Sequence, residues 1–369
     1  MRIGILKETK PEEHRVALTP AGVEIMRRND HDILIESTAG NDSGFSDEAY
    51  FKAGAQIETD PAKIFEQCEM ILRVKEPQPQ EYALLREGQI YFSYLHLASS
   101  RKIASVLMET RVVAVAYETI QTGNGALPLL TPMSEVAGPM AVQEGAKYLE
   151  MAQGGHGILL GGVPGVDPGT VLILGGGVVG LNAAKMACGL GARVYILDTD
   201  LERLRYLDDV MPGNCFLQVS SPSSIRELIT KADLVVGAVL VPGSKTPTLI
   251  TRDMLGTMEK GAVLVDVAID QGGCFETSRE TTHADPIYTV DGIVHYAVSN
   301  MPGAVPRTST LALTNATLPY ALEIANRGWA TAMRENPDIL RGANVVSGQI
   351  THQGVADALG MACAPITFL

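Results

Sequence analysis

The chain has 369 residues, enough for two domains, with 46% hydrophobic and 19% charged residues, a globular balance without a disorder signature. Its 42 acids outweigh 29 lysines and arginines, and a formal charge of -13 repels nucleic-acid phosphates and anionic lipid surfaces while leaving room for a local anion pocket. The five cysteines, Cys68, Cys188, Cys215, Cys274 and Cys363, hold no Cys-x-x-Cys pair. With no signal-peptide core and no apolar run near the roughly 20 residues that cross a bilayer, the expected location is the cytoplasm.

Short β-branched runs alternate with helical patterns, the signature of parallel α/β architecture. In the first part, strands are predicted at residues 3–6, 33–36, 70–74, 90–95 and 112–116, with helices at 21–28, 47–53 and 102–109. A long helical pattern follows at 134–152, with Ser134 as its cap and Glu135 in its first turn. A second strand series runs through 171–174, 193–197, 234–238 and 263–267, and another helix spans 311–327. The expected fold is α/β, with two Rossmann-like doubly wound domains. The nucleotide domain, residues 131–306 with its connecting helix, is inserted into a discontinuous substrate domain of residues 1–130 and 307–369.

The most regular local signal is Val171-Leu172-Ile173-Leu174 running into Gly175-Gly176-Gly177-Val178-Val179-Gly180 and then a helix that Gly189 is placed to end. In such a strand–turn–helix, Gly175 makes the tight turn, Gly177 admits a pyrophosphate close to the backbone, and Gly180 allows close helix packing. The helix amino terminus offers N–H groups and a positive dipole end to the phosphates. Asp198 closes the next strand, about 20 residues on, where a carboxylate accepts from ribose hydroxyls and repels a 2′-phosphate. NAD is therefore expected rather than NADP. Arg203 lies nearby and an arginine there can accommodate a phosphate, but its plainer reading is a solvated helix residue beside the adenosine.

Ligands of open α/β sheets collect outside the carboxyl ends of the strands. Arg15 lies in the loop after the first strand, Lys75 and His96 close two others, and Asp270 follows the strand at 263–267. Each has a plain alternative: surface charges for Arg15 and Lys75, a structural histidine for His96, a loop cap for Asp270. Asp266, inside its apolar strand, reads as a binder of backbone groups. It is the convergence of four polar groups that points to chemistry. No His/Cys/Asp/Glu cluster has metal-ligand spacing, so no metal is expected.

Over nearly its whole length the sequence resembles the alanine dehydrogenase family. The resemblance is carried by Gly4-Ile5-Leu6-Lys7-Glu8, His14-Arg15-Val16-Ala17-Leu18-Thr19-Pro20, Ala39-Gly40-Asn41-Asp42-Ser43-Gly44-Phe45 and Val74-Lys75-Glu76-Pro77. Tyr94-Leu95-His96-Leu97-Ala98, Pro132-Met133-Ser134-Glu135-Val136-Ala137-Gly138 and Asn300-Met301-Pro302-Gly303 extend it. It implies reversible oxidative deamination, in which L-alanine, NAD and water give pyruvate, ammonia and NADH. By the same resemblance Arg15 grips the substrate carboxylate, Lys75 holds the 2-oxo oxygen or the amine, and Tyr94, Met133 and Asn300 shape the substrate pocket. His96 and Asp270 divide the acid–base work, with Asp270 assigned to the hydrolytic water. Ser134, Val178, Val179, Asp198, Arg203, Ser220, Val239, Val267, Asn300 and Met301 join the three glycines as NAD contacts. The resemblance also implies a homo-oligomer, a hexamer in this family. The related NAD-binding subunit of proton-translocating transhydrogenase is the alternative, and the histidine at position 96 separates the two patterns.

Overall fold

The computed structural model describes residues 1–239, 246–366 and 368. In chain order the strands are β1 (Arg2–Ile5), β2 (Asp32–Glu36), β3 (Gln56–Glu58), β4 (Met70–Leu72), β5 (Ile90–Ser93) and β6 (Val113–Ala116). They continue as β7 (Thr170–Leu174), β8 (Arg193–Asp198), β9 (Cys215–Val219), β10 (Leu234–Gly237) and β11 (Val263–Asp266). Two hairpins supply β12 (Ile287–Val290) with β13 (Ile293–Tyr296), and β14 (Ala343–Val346) with β15 (Gln349–Ile350). Two compact units result: Met1–Met133 together with Val305–Leu369, and Ser134–Ala304.

Each unit is built on one sheet. In the first, the order is β15-β14-β6-β5-β4-β1-β2-β3, with β1 to β6 parallel and β14 and β15 antiparallel at one edge. In the second, the order is β12-β13-β11-β10-β7-β8-β9, parallel except for β12. Both contain the doubly wound 3-2-1-4-5-6 arrangement, which reverses direction between its first and fourth strands. The expected pair of Rossmann-like folds is therefore present, and each sheet has its own switch point.

Strands covered on both faces must be apolar throughout rather than alternating. In the first unit Ile3, Ile5, Met70, Leu72, Ile90, Phe92 and Val115 pack on one face against Val23, Met26, Leu313 and Ile324. Ile71, Tyr91, Ala114 and Ala116 face the other side, against Ile64, Phe65, Leu107 and Val355. Gly4 is the close approach in this layer: a Cβ there would lie 2.5 Å from Ile64 Cγ2. In the second unit Leu172, Leu174, Val235 and Leu264 pack against Ile225, Leu228, Ile229 and Phe275.

Several boundaries differ from expectation for identifiable reasons. The helix expected at 134–152 runs over Thr131–Tyr148, because Pro132 is tolerated in a first turn whose N–H groups have no helical partner. Ser134 is thus inside the helix and is not its cap. The helix expected at 311–327 starts at Pro306 for a similar reason. Gly189 is the last residue of helix Val178–Gly189, and the left-handed residue beyond it is Gly191, at φ +91. The two hairpins escaped the strand reading although each has a two-residue turn with both φ positive: Asp291-Gly292 and Ser347-Gly348. That is the type I′ geometry for which such dipeptides are preferred. Among the described residues, no helix is long and apolar enough to cross a membrane.

A buried charge network fastens the loop after β1 to the end of β4. Arg73 donates Nε and Nη2 to the two oxygens of Glu8 at 3.1 and 3.2 Å, and Nη1 to Glu81 at 2.7 Å. Glu8 also accepts from the Val74 N–H at 2.7 Å. All three charged residues are buried. Arg73→Met removes the cation and leaves two carboxylates without it, so a loss of about 3–5 kcal/mol is expected in urea unfolding. Glu8→Met in the Arg73→Met background should recover part of that loss; a purely additive double variant would show that the pair is not coupled.

Candidate active site

In the first unit, the loops at the carboxyl ends of four neighbouring strands carry the polar groups. Glu13 and Arg15 follow β1, Lys75 and Glu76 follow β4, Tyr94 and His96 follow β5, and Glu118 follows β6. The strand order reverses between β1 and β4, so the loops bearing Arg15 and Lys75 flank the switch point, where open α/β sheets bind ligands.

Arg15 and Lys75 are not surface charges: they are 2% and 9% exposed. The Arg15 fork is held side-on by Glu13, with Nε and Nη2 donating to its two oxygens at 2.6 and 2.5 Å. Its Nη1 points at the Met133 sulfur, 2.9 Å away. Burial alone would raise the Glu13 carboxyl, but the guanidinium and Lys75 overcome it and hold the group at about 2. Burial likewise works to lower the Arg15 pKa, and Glu13 reverses the direction.

Lys75 feels the opposite balance. Burial first, then the charges of Arg15 and Lys10, lower its pKa, while Glu13 and Glu76 act to raise it. This is the condition that base chemistry by a lysine requires. Glu76 is ion-paired with Lys10 at 2.6 Å. His96 takes a left-handed backbone at φ +50, fixed by Glu118, which accepts from the N–H groups of Leu95 and His96. The His96 side chain is exposed, so desolvation there is partial. It still lowers the imidazole pKa, against the pull of Glu118, and the charges of Lys75, Glu76 and Lys10 act on the same ring. Tyr94 is stacked on that ring at 6.1 Å between centroids and donates its hydroxyl to the Leu129 carbonyl.

In the second unit, β7 leads into the glycine turn. Gly175 is left-handed at φ +98, and a Cβ there would lie 2.8 Å from the Ala238 carbonyl, at the end of β10. The turn thus sits at the β7/β10 switch point, with Val239 beside it. A Cβ on Gly180 would fall 1.9 Å from the Gly175 carbonyl, so the close approach is to the turn itself. On Gly177 it would meet nothing within 4 Å. Gly177 caps helix Val178–Gly189 without a side-chain hydrogen bond. Open space above uncapped helix N–H groups is the geometry a phosphate fills.

Asp198 and Arg203 lock this turn. Asp198 Oδ2 accepts from the Gly176 N–H at 2.6 Å, and Oδ1 from the Asp200 N–H at 2.9 Å. Arg203 is more than a solvated helix residue: its guanidinium donates to the Gly176 and Gly177 carbonyls. The Ser220 N–H donates to the Asp198 carbonyl at 2.8 Å, and the Val267 N–H to the Gly237 carbonyl at 3.0 Å. Val178 and Val179 form the first helical positions, and Ser134 lies in the first turn of helix Thr131–Tyr148. Asp270 is exposed in the 3₁₀ turn Ile269–Gln271. Asn300 is left-handed at φ +56, its carbonyl 3.3 Å from His283 Nε2, and Met301 opens the turn Met301–Ala304. Asp266 accepts from Ala268 N–H, Cys274 N–H and Ser278 Oγ, the backbone-binding role expected of it. Among the described residues no group of three His, Cys, Asp or Glu side chains is arranged to hold a metal ion.

Two groups of this site were not anticipated. Glu118 stands at a strand end as Lys75 and His96 do, so the same rule would have found it. Glu13 had only the Glu-x-Arg spacing as a signal, which is common in loops.

A doubly wound unit bearing buried cationic groups at its switch point, paired with a second bearing a dinucleotide turn, defines a nucleotide-dependent α/β enzyme class. The alanine dehydrogenase/PNT N-terminal-domain profile matches residues 4–137 and the C-terminal-domain profile residues 141–353. The chain belongs to this family. It is 53% identical over 361 residues to the alanine dehydrogenase of Halomonas elongata, covering 98% of this chain and 97% of that one. It is 53% identical to that of Bacillus subtilis (strain 168) over 366 residues, 99% of this chain and 96% of the other. A solved L-alanine dehydrogenase superposes with a TM-score of 0.95 at 48% identity, covering 98% and 99% of the two chains. The transhydrogenase from Sinorhizobium meliloti superposes at 0.84 with 24% identity over 95% of this chain and 100% of that one, a likeness of fold.

The depressed Glu13 pKa makes stability pH-dependent. A carboxyl at about 2 in the folded chain and near 4.5 unfolded contributes stability present above pH 4.5 and lost as pH falls towards 2, on the order of 3 kcal/mol in all. Unfolding free energy measured across that range should therefore fall less steeply for Glu13→Gln than for the parent chain. Equal slopes would mean that Glu13 does not titrate in this way.

Proposed function

We propose that the chain is an NAD-dependent alanine dehydrogenase, converting L-alanine, NAD and water to pyruvate, ammonium, NADH and a proton, and the reverse, in the cytoplasm. The observation that carries the reading is the buried Arg15–Glu13–Lys75 group at the first unit's switch point, in a chain about half identical to alanine dehydrogenases over its full length.

The roles follow from the donors. Glu13 holds the side-on edge of Arg15, and a substrate carboxylate pairs with the guanidinium through charge-assisted hydrogen bonds. Glu13 thereby orients the clamp and offsets the cost of burying it. Lys75, its pKa lowered, holds the 2-oxo oxygen of pyruvate or takes a proton from the alanine amine. His96 exchanges a proton with the same substituent, and Asp270 activates the water that hydrolyses the imine. The open face at Gly177, the uncapped helix N–H groups and Asp198 suit the pyrophosphate and the adenosine ribose of NAD. NAD, when bound, accepts the hydride from the substrate α-carbon. Ser134, Val178, Val179, Ser220, Val239, Val267, Asn300 and Met301 complete its contacts in this proposal.

The test is NADH absorbance on mixing the purified protein with NAD and L-alanine, with L-serine and L-lysine in parallel. Absorbance should rise with alanine and fall when pyruvate, ammonium and NADH are supplied. Silence in both directions would sink the proposal. His96→Ala should lower kcat by about 10²–10⁴-fold, and Asp270→Asn should impair turnover as well. Full turnover in Asp270→Asn beside a dead His96→Ala would remove Asp270 from water activation.

Asp198 sets the cofactor preference. Asp198→Ala removes acceptors worth roughly 1.5–3 kcal/mol, so the KM for NAD should rise tenfold or more while that for NADP changes little or falls. An unchanged NAD/NADP ratio of kcat/KM would assign the preference elsewhere.

A further inference from the structure

Asp266, the last residue of β11, has no part in the proposed reaction, yet it is 1% exposed and surrounded by donors. Its Oδ1 accepts from the Ala268 N–H at 3.0 Å and lies 3.6 Å from the Cys274 sulfur. Its Oδ2 accepts from the Cys274 N–H at 2.9 Å and from Ser278 Oγ at 2.5 Å. An ionised carboxylate has about four acceptor sites and no donor of its own, so this one is used up inside the fold.

Two of the donors bracket one loop. Ala268 stands before the 3₁₀ turn Ile269–Gln271 and Cys274 after it, so a single side chain ties both ends of the segment that carries the exposed Asp270. Within the bracket the Gln271 and Gly273 N–H groups donate to the Ala268 carbonyl at 2.9 and 3.1 Å, and the Gly272 N–H to the Ile269 carbonyl at 2.9 Å. Gly272 and Gly273 are left-handed at φ +92 and +75, which turns the chain back towards Asp266. A Cβ on Gly273 would lie 2.6 Å from Asp266 Oδ2, and one on Gly237, paired with Asp266 in the sheet, 2.3 Å from the Cys274 sulfur. Both glycines thus leave room for the carboxylate and its donors.

We propose that Asp266 is a positioning residue: its carboxylate tethers both ends of the 268–274 loop and thereby fixes the place from which Asp270 acts on the hydrolytic water. Asp270 has that role in the reaction proposed above, and the tether's effect on turnover rests on that reading. In the hydrolytic step the water oxygen adds to the imine carbon and its two protons end on the nitrogen, the first by way of Asp270. The C–N bond then breaks, and pyruvate and ammonia leave. An asparagine at position 266 keeps the shape but has one acceptor oxygen, and its amide would point N–H groups at the N–H of Ala268 or of Cys274. One end of the loop is then released, and a displacement of about 1 Å at a catalytic group can cost about 10²-fold in rate. Imine hydrolysis follows hydride transfer, so a misplaced Asp270 slows the later step and leaves the earlier one intact.

Amide hydrogen exchange and stopped-flow absorbance on the full-length protein test the two halves. In Asp266→Asn the amides of Ala268 and Cys274 should exchange about tenfold faster or more than in the parent chain, while β7 and β8 exchange as before. With saturating NAD and L-alanine, NADH should form in a fast burst of about one per site, followed by a steady rate about 10²-fold below the parent's. A chain that is merely destabilised loses amplitude in every phase and shows no burst. Unchanged loop exchange, faster exchange spread through β7 and β8, or slow NADH formation without a burst would each overturn the proposal. A parent chain silent with alanine would overturn the alanine dehydrogenase reading instead, and hydrogen exchange, which needs no turnover, would still decide the tether.

Discussion

A guanidinium buried to 2% exposure is tolerated only when an anion meets it with good geometry. Glu13, two residues away on the same loop, meets Arg15 side-on with two short hydrogen bonds. Lys75, in the same polar centre, depends on that pair. The pair keeps the positive charge of Arg15 fixed in place, and that charge helps burial to lower the pKa of Lys75. It also turns Nη1 of the fork towards the Met133 sulfur. A lysine in the position of Arg15 would keep the charge and lose the planar fork, so the two residues are not interchangeable here.

The same economy appears around the other loops. Glu118 spends its carboxylate on backbone N–H groups, holding His96 in a left-handed conformation that a non-glycine residue rarely adopts. Asp198 and Arg203 act on the glycine turn from opposite sides, one accepting from the Gly176 N–H and the other donating to the Gly176 and Gly177 carbonyls. Charged groups thus shape loops at the carboxyl ends of strands in both sheets, and hold their backbone groups in fixed orientations. Such preorganisation is the usual source of electrostatic catalysis, because little reorientation remains when charge develops.

Much of this was legible in the amino-acid order. Continuous apolar runs such as Val171-Leu172-Ile173-Leu174 marked doubly covered strands, and three glycines at fixed spacing marked the turn. Arg15, Lys75, His96 and Asp270 stood out as polar residues just past strand ends. The hairpin turns at Asp291-Gly292 and Ser347-Gly348 carried a readable signal too, although their strands are short and lie at sheet edges.

Local pattern determined which segments are strands, where the nucleotide turn falls and which polar side chains stand at strand ends, because backbone sterics and burial act over a few neighbouring residues. Tertiary structure alone decided that Arg15 and Lys75 are buried, and that Glu13 and Glu118 support Arg15 and His96. These are distances between segments far apart in the chain, or degrees of desolvation set by everything packed around a group. Burial and neighbouring charge determine a pKa, and neither can be read before the sheet has brought its strand ends together.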